Sequence, residues 1–303
     1  MCLNIFSTNH FNNRMQKLLL AFLFIFPVVL KAQDDDVDPF DRYGPPGSVV
    51  FSNLKDALKD TKIAYKVKLD NQIIEPKLLP KLGKLDQLQA LQMNANGLTQ
   101  LPAEFKNLTN LIYFACIENP ITSLPKDFGN LSQLAELRLL SPNIDSLPYE
   151  IAYLGKLQSI EIQNNKVDTF YFPNSIGYLS SLKSILLYNC KLDTLPSSFG
   201  EFKHLKSLTM TRCGLTDVPK PVGKISTLEM LVLDDNKLTE LNKRVFKLKN
   251  LKYLSLQHNQ LTSISENISV LQNLEVLDLR GNTFKEFDIA VLKALLPKCR
   301  VLN

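Results

Sequence analysis

The chain has 303 residues, 45% of them hydrophobic, with no Trp, three His and a formal charge of +5. That apolar share suffices for a continuous buried spine, and a repeat array of this length is one elongated unit with no need of several globular cores. Residues 1–32 hold Arg14, Lys17 and Lys31 and no acid, so their removal would leave +2, too weak a charge to argue for nucleic acid or an anionic membrane surface.

Arg14 and Lys17 precede an apolar run, Leu18 to Leu30, followed by Lys31-Ala32-Gln33. A basic segment, an apolar run and a small residue before a polar stretch make the pattern of a secretory signal peptide. The run is short of the roughly 20 apolar residues of a membrane span, and Pro27 interrupts it. The expectation is a cleaved leader over 1–32, with Met1 or Met15 as the start. The mature protein would be exported to the periplasm, cell surface or medium without stable membrane insertion. Residues 33–47 carry Asp34, Asp35, Asp36, Asp38 and Pro45-Pro46-Gly47, and read as a disordered polar linker. Over 48–63, Phe51, Leu54, Ala57 and Leu58 share one helical face. This predicts a short helical cap, which an array needs because an open end would expose apolar side chains and an unpaired strand edge.

From residue 64 a period takes over. The series Leu228, Leu231, Leu233, Asn236, Leu238 and Leu241 recurs with its spacing kept as Leu251, Leu254, Leu256, Asn259, Leu261 and Ile264. One degenerate unit with Val67, Leu69 and Ile74 comes first. Nine clear units then begin at Leu88, Leu111, Leu134, Leu157, Leu182, Leu205, Leu228, Leu251 and Leu274. The step from Leu157 to Leu182 is longer than the others by two, its excess falling in Phe170-Tyr171-Phe172-Pro173. That bulge is expected to leave the sheet intact and Tyr171 and Phe172 partly exposed. Residues 289–303 read as a C-terminal cap: a helix from Ile289 to Leu296, then an edge-closing segment.

In a strand, side chains alternate, so Leu231 and Leu233 point inward together while Met230, Val232 and Asp234 point outward. Each unit supplies one short strand, stacking makes a parallel sheet, and the rest of each unit returns on the other side. At the turn out of the strand, Asn96, Asn119, Asn165, Asn236, Asn259 and Asn282 recur. An inward amide there can donate to and accept from backbone groups that lack ladder partners. Pro142 breaks this series and predicts a local distortion, and Cys190 and Cys213 occupy the same position. Pro102, Pro125, Pro148, Pro196 and Pro219 fix the return path. Asn242, Ser265 and Asp288 stand in their place in the last units, where less regular returns are expected.

Residues 64–288 resemble the bacterial leucine-rich repeat proteins with 23-residue units LxxLxLxxNxLxxLPxxfxxL, exported forms of which occur in Bacteroidetes-like genomes. The resemblance implies an α/β repeat, a curved solenoid with a parallel sheet on the concave face and helical-turn or irregular convex returns, that binds partners. Cys190 and Cys213 are the usual small substitutes for Asn in that family. Some of its members carry a separate catalytic domain, as in bacterial ubiquitin-ligase effectors, and no stretch here reads as one.

Chemistry-bearing patterns are sparse. His10 lies in the leader, His204 on a return and His258 beside Asn259, and no nucleophile–base set, metal spacing or phosphate loop accompanies them. No cofactor or metal is expected. Cys116, Cys190, Cys213 and Cys299 follow repeat phase and do not form a disulfide framework. The informative positions are the outward ones. Tyr113, Ile117, Arg138, Leu140, Glu161, Leu186, Tyr188, Met230, Val232 and Tyr253 put apolar and aromatic groups on a face that should meet water, the mark of a contact surface. The reading is a non-enzymatic binder of a protein or peptide partner. Its rivals are a self-associating structural or envelope protein, and a carbohydrate-binding surface protein.

Overall fold

The computed structural model describes residues 39–140, 143–164 and 169–303. The expected leader, the aspartates of 34–38, Pro142 and Asn165 lie outside the described residues. The chain divides into two units, 1–42 and 43–303. The described part of the first is one 3-10 turn, Pro39–Arg42.

The second unit is a solenoid built on one parallel sheet. Its strands are β1 (Val50–Phe51), β2 (Lys66–Lys68), β3 (Ala90–Asn94), β4 (Tyr113–Ile117), β5 (Glu136–Leu140) and β6 (Ser159–Gln163). They continue as β7 (Ser184–Tyr188), β8 (Ser207–Thr211), β9 (Met230–Val232), β10 (Tyr253–Ser255), β11 (Val276–Asp278) and β12 (Arg300–Leu302). Each strand pairs with the next in chain order. The repeat period is the register, so Tyr113 lies opposite Glu136, Arg138 opposite Glu161 and Gln163 opposite Tyr188. The two extra residues between β6 and β7 do not shift this register.

Behind the sheet, the inward residues form one spine in which Leu91, Leu137, Leu187, Leu231, Leu233 and Leu256 are fully buried. Convex 3-10 turns close it. Pro102, Pro125, Pro148 and Pro196 precede their turns in extended conformation, as the proline positions predict. Of the returns without proline, those at Asn242 and Ser265 remain 3-10 turns with a side-chain bond near their starts, whereas the one holding Asp288 departs from the pattern, as expected. Asn242 Oδ1 accepts from the Arg244 amide, and Ser265 Oγ from the Asn267 amide. The last return is a helix, α2, once α1 (Leu54–Ala57) is counted; it runs Glu286–Leu295, and Asp288 accepts from the Lys285 amide. Adjacent turns pack so closely that a Cβ on Gly129 would fall 2.5 Å from the Glu150 carbonyl oxygen.

The turn out of each strand shows why the asparagines recur. Ala95, Glu118, Asn189, Arg212, Asp235 and His258, each just before the Asn position, have φ between 51° and 56°. Left-handed backbone costs a side-chain-bearing residue about 1–2 kcal/mol. The ladder offsets it: Asn119 Oδ1 accepts from the Asn96 and Leu98 amides at 2.9 and 3.1 Å, and its Nδ2 donates to the Met93 carbonyl at 2.7 Å. Cys190 and Cys213 hold this position as buried free thiols. Next to the expected Asn165, Asn164 is buried and donates to the Ile144 carbonyl.

Three expectations are corrected. Phe172 is buried, edge-on to Phe170 and Phe199 at 5.1 and 5.3 Å, because the longer return folds its aromatics into the spine; only Tyr171 is exposed. The N-terminal cap opens with β1 before its helix, adding a strand to the sheet edge. The second half of the expected linker is ordered: the Ser48 amide donates to the Pro45 carbonyl at 3.0 Å, closing a turn in which Gly47 has φ +78°.

Candidate binding face

Three rows of outward side chains run across the concave sheet, at the first, third and fifth positions of the five-residue strands. Leu186 lies at the middle of β7, half-buried, in register with Glu161. Arg138 Nε donates to Glu161 Oε2 at 2.5 Å, so this pair is neutralised across two strands. Glu161 is the first cause that holds the Arg138 guanidinium charged well above its ordinary range, against burial. In the last row, Ile117 and Leu140 face each other across β4 and β5, both half-buried, followed by Gln163 and Tyr188. Arg212 lies over the Tyr188 ring, 5.5 Å from its centroid, and also donates to its hydroxyl. Asp235 stands 3.5 Å from the Arg212 guanidinium. The centre is therefore aliphatic Leu186 between two polar couples, Arg138–Glu161 and Tyr188–Arg212.

The remaining predicted residues do not all present a surface. Tyr113 is 1% exposed, Met230 3% and Val232 2%, against the expectation of solvent-facing contact residues. Tyr253 is half-buried, and burial pushes its hydroxyl up to about 12. Beside it lies a polar network that the outward positions did not foretell. Asp234 Oδ1 accepts from Ser255 Oγ at 2.6 Å and from the Gln257 amide at 2.9 Å. Asp278, 1% exposed, is gripped by Arg280 at 2.9 and 2.5 Å. Burial pushes the Asp234 carboxyl up to about 7, the bonds from Ser255 and Gln257 opposing the shift and Asp278 and Asp235 adding to it.

Sequence reasoning missed Tyr43, Gln89, Glu136 and Arg212. Glu136 was within reach, being the register neighbour of Tyr113, and Arg212 lies one repeat beyond Tyr188. Tyr43 lies in aperiodic sequence and gives no signal. His258 lies against Gly281, and Asp235 pairs with Arg212. Among the described residues, no group of three or more His, Cys, Asp or Glu could hold a metal ion. Among them, no helix is long and apolar enough to cross a membrane.

A leucine rich repeat family model matches residues 226–285. A search of curated protein sequences finds no match. Among solved structures, an internalin from Listeria monocytogenes aligns at 22% identity over 80% of this chain and 74% of its own, with a TM-score of 0.57. The leucine-rich repeat domain of the type III effector XopL aligns at 21% identity over 76% of this chain and 83% of its own, TM-score 0.59. The ectodomain of the plant receptor kinase GASSHO1/SCHENGEN3 from Arabidopsis thaliana, solved in complex with CASPARIAN STRIP INTEGRITY FACTOR 2, aligns at 27% identity over 75% of this chain and 31% of its own, TM-score 0.53. The fold is a leucine-rich repeat solenoid, an architecture typical of interaction modules.

Proposed function

We propose that this is an exported, non-enzymatic leucine-rich repeat protein that binds a protein or peptide partner on its concave face. The observation that carries the reading is the centre of that face. Leu186 stands half-buried between the Arg138–Glu161 couple and Tyr188 with its Arg212 lid. An aliphatic or aromatic centre ringed by polar groups is where binding energy concentrates, often about 2 kcal/mol or more for one residue. Arg138 is paired with Glu161 and Arg212 with Asp235, so a partner meets directional hydrogen-bonding groups without having to neutralise a lone buried ion. The likeness to a receptor ectodomain solved with its factor supports a protein or peptide as the ligand class. The order of basic, apolar and polar residues over 14–36 supports export, to the periplasm, cell surface or medium.

The test compares the parent with a Leu186→Ser/Tyr188→Ala double variant as bait in pull-downs from the native envelope and medium. Capture should fall tenfold or more, since a loss of about 1.4 kcal/mol is a factor of ten. A Lys203→Ala control on the convex side should capture as the parent does. Equal capture by a correctly folded double variant refutes the concave-centre reading. Intact mass of the exported protein tests the leader: a start near Gln33 is expected, and retention of residues 15–32 refutes cleavage.

A further inference from the structure

At the N-terminal rim of the concave face, the chain holds a group that its repeats do not supply. The Tyr43 ring stacks on Tyr113, centroids 5.7 Å apart and planes 30° from parallel. Its hydroxyl donates to Glu136 Oε1 at 2.9 Å, and the next amide, that of Gly44, donates to Gln89 Oε1 at 2.9 Å. Both rings are buried, yet neither belongs to the leucine spine. Tyr113 and Glu136 are register partners in the first outward row, and Gln89 directly precedes β3. The contact is therefore made on the recognition face and not in the core.

We propose that Gln89, Tyr113 and Glu136 form a peptide subsite for a tyrosine followed by glycine, and that Tyr43-Gly44 fills it as a tethered ligand. This deepens the peptide-binding reading and rests on it. Tyr113 supplies a flat floor for an aromatic ring. Glu136 selects the phenol, because a site built around a hydroxyl discriminates strongly against the analogue that lacks it. Gln89 reads the main chain. At the following position φ is +75°, and a Cβ would fall 2.9 Å from Ser48 Oγ and 3.0 Å from Tyr65 Cβ, so glycine is the residue the geometry admits. The turn from Pro45 to Ser48 then leads directly into β1, which makes the tether short. A short tether keeps its own ligand at an effective concentration on the order of millimolar, so a free segment must carry additional contacts to displace it. The centre at Leu186 and Tyr188 would give a partner those contacts.

The test uses the full chain and the synthetic hexapeptide Tyr-Gly-Pro-Pro-Gly-Ser, blocked at both ends, followed by NMR titration. The parent should not bind it below millimolar concentrations, because its subsite is filled. In the Tyr43→Ala variant, checked for folding by circular dichroism, the ring position is vacated while Gly44 still holds Gln89. The hexapeptide should bind this variant saturably through its tyrosine, and the hexapeptide with Phe in place of Tyr at least tenfold more weakly. Absence of binding to folded Tyr43→Ala at several millimolar, or equal binding of the two peptides, overturns the proposal. Should Tyr43→Ala not fold, Tyr43→Phe keeps the ring and loses the bond to Glu136. It should then admit the tyrosyl peptide more readily than the parent does, and no gain over the parent overturns the proposal. Failure of the peptide to bind leaves the Leu186/Tyr188 capture result standing, and failure of that capture leaves the peptide result standing, so the two readings fail separately.

Discussion

Asn236→Ala should be among the most costly single-amide changes in this solenoid, and Asn96→Ala, the same change in the same repeat position, should be mild. Asn236 Oδ1 accepts from the Cys213 and Leu215 amides at 3.0 and 3.1 Å, and Nδ2 donates to the carbonyls of Met210, Leu233 and Asp234 at 2.8, 2.9 and 3.1 Å. After truncation the Leu233 carbonyl still receives Asn259 Nδ2. The Cys213 and Leu215 amides are left buried and unpaired. Each stranded donor costs about 1–3 kcal/mol, so the total is about 4 kcal/mol. Asn96 Nδ2 donates to the Leu69 and Gln72 carbonyls at 2.6 and 2.8 Å, but its Oδ1 is buried with no hydrogen-bond partner among the described residues. Its loss strands carbonyls only, which tolerate this better than amides, and should cost about 1 kcal/mol. Urea unfolding followed by circular dichroism gives the two midpoints, and hydrogen exchange at the Cys213 and Leu215 amides should accelerate in Asn236→Ala. Equal midpoints for the two variants would refute the claim that accepting from the preceding repeat is what makes the ladder stabilising.

Phe172→Ala should destabilise by about 3–5 kcal/mol, as for a buried aromatic, whereas Tyr171→Ala should shift the midpoint by about 0.5 kcal/mol or less; the reverse order would mean the bulged return is wrongly placed. Asp234 keeps its proton in the folded state up to about pH 7, but loses it near 4 when unfolded. The folded state then binds more protons between those limits, so stability should fall as pH rises from about 4 to 7 and level off above. Asp234→Asn should flatten that slope, and an unchanged pH profile of the urea midpoint would contradict it. Burial pushes the Cys190 thiol up to about 12 and raises that of Cys213 well above its usual range, so neither should react with a thiol reagent at pH 8 in the native protein. Both should react once denatured without reductant, and a disulfide peptide joining them would contradict this.

The repeat period determined a great deal by itself. Leu231 and Leu233 share a side of their strand because side chains alternate, and once that side is buried the register of every neighbouring strand follows. The ladder positions Asn119, Asn236 and Asn259 were legible for the same reason, since each unit leaves the same backbone groups without partners. Which outward residues form a surface was not legible. Periodicity reports the side of a strand, and the exposure of a residue on that side depends on what lies over it. Tyr113 meets Tyr43, a residue of aperiodic sequence far from it in the chain. Tyr188 lies under Arg212, whose left-handed backbone follows from the ladder and whose side-chain direction does not. Asp234 is outward by phase and yet buried, because Ser255 and the Gln257 amide of the next strand close on its carboxyl. Phe170, Tyr171 and Phe172 lie in an insertion that interrupts the period, so sequence could count the excess residues but not sort them. Their sorting is a matter of volume: Phe170 and Phe172 fill the spine against Phe199, and Tyr171 keeps its hydroxyl-bearing ring in water. Translation along the repeat is written in the sequence, whereas contacts between unlike segments are set by the distances that the folded chain brings about.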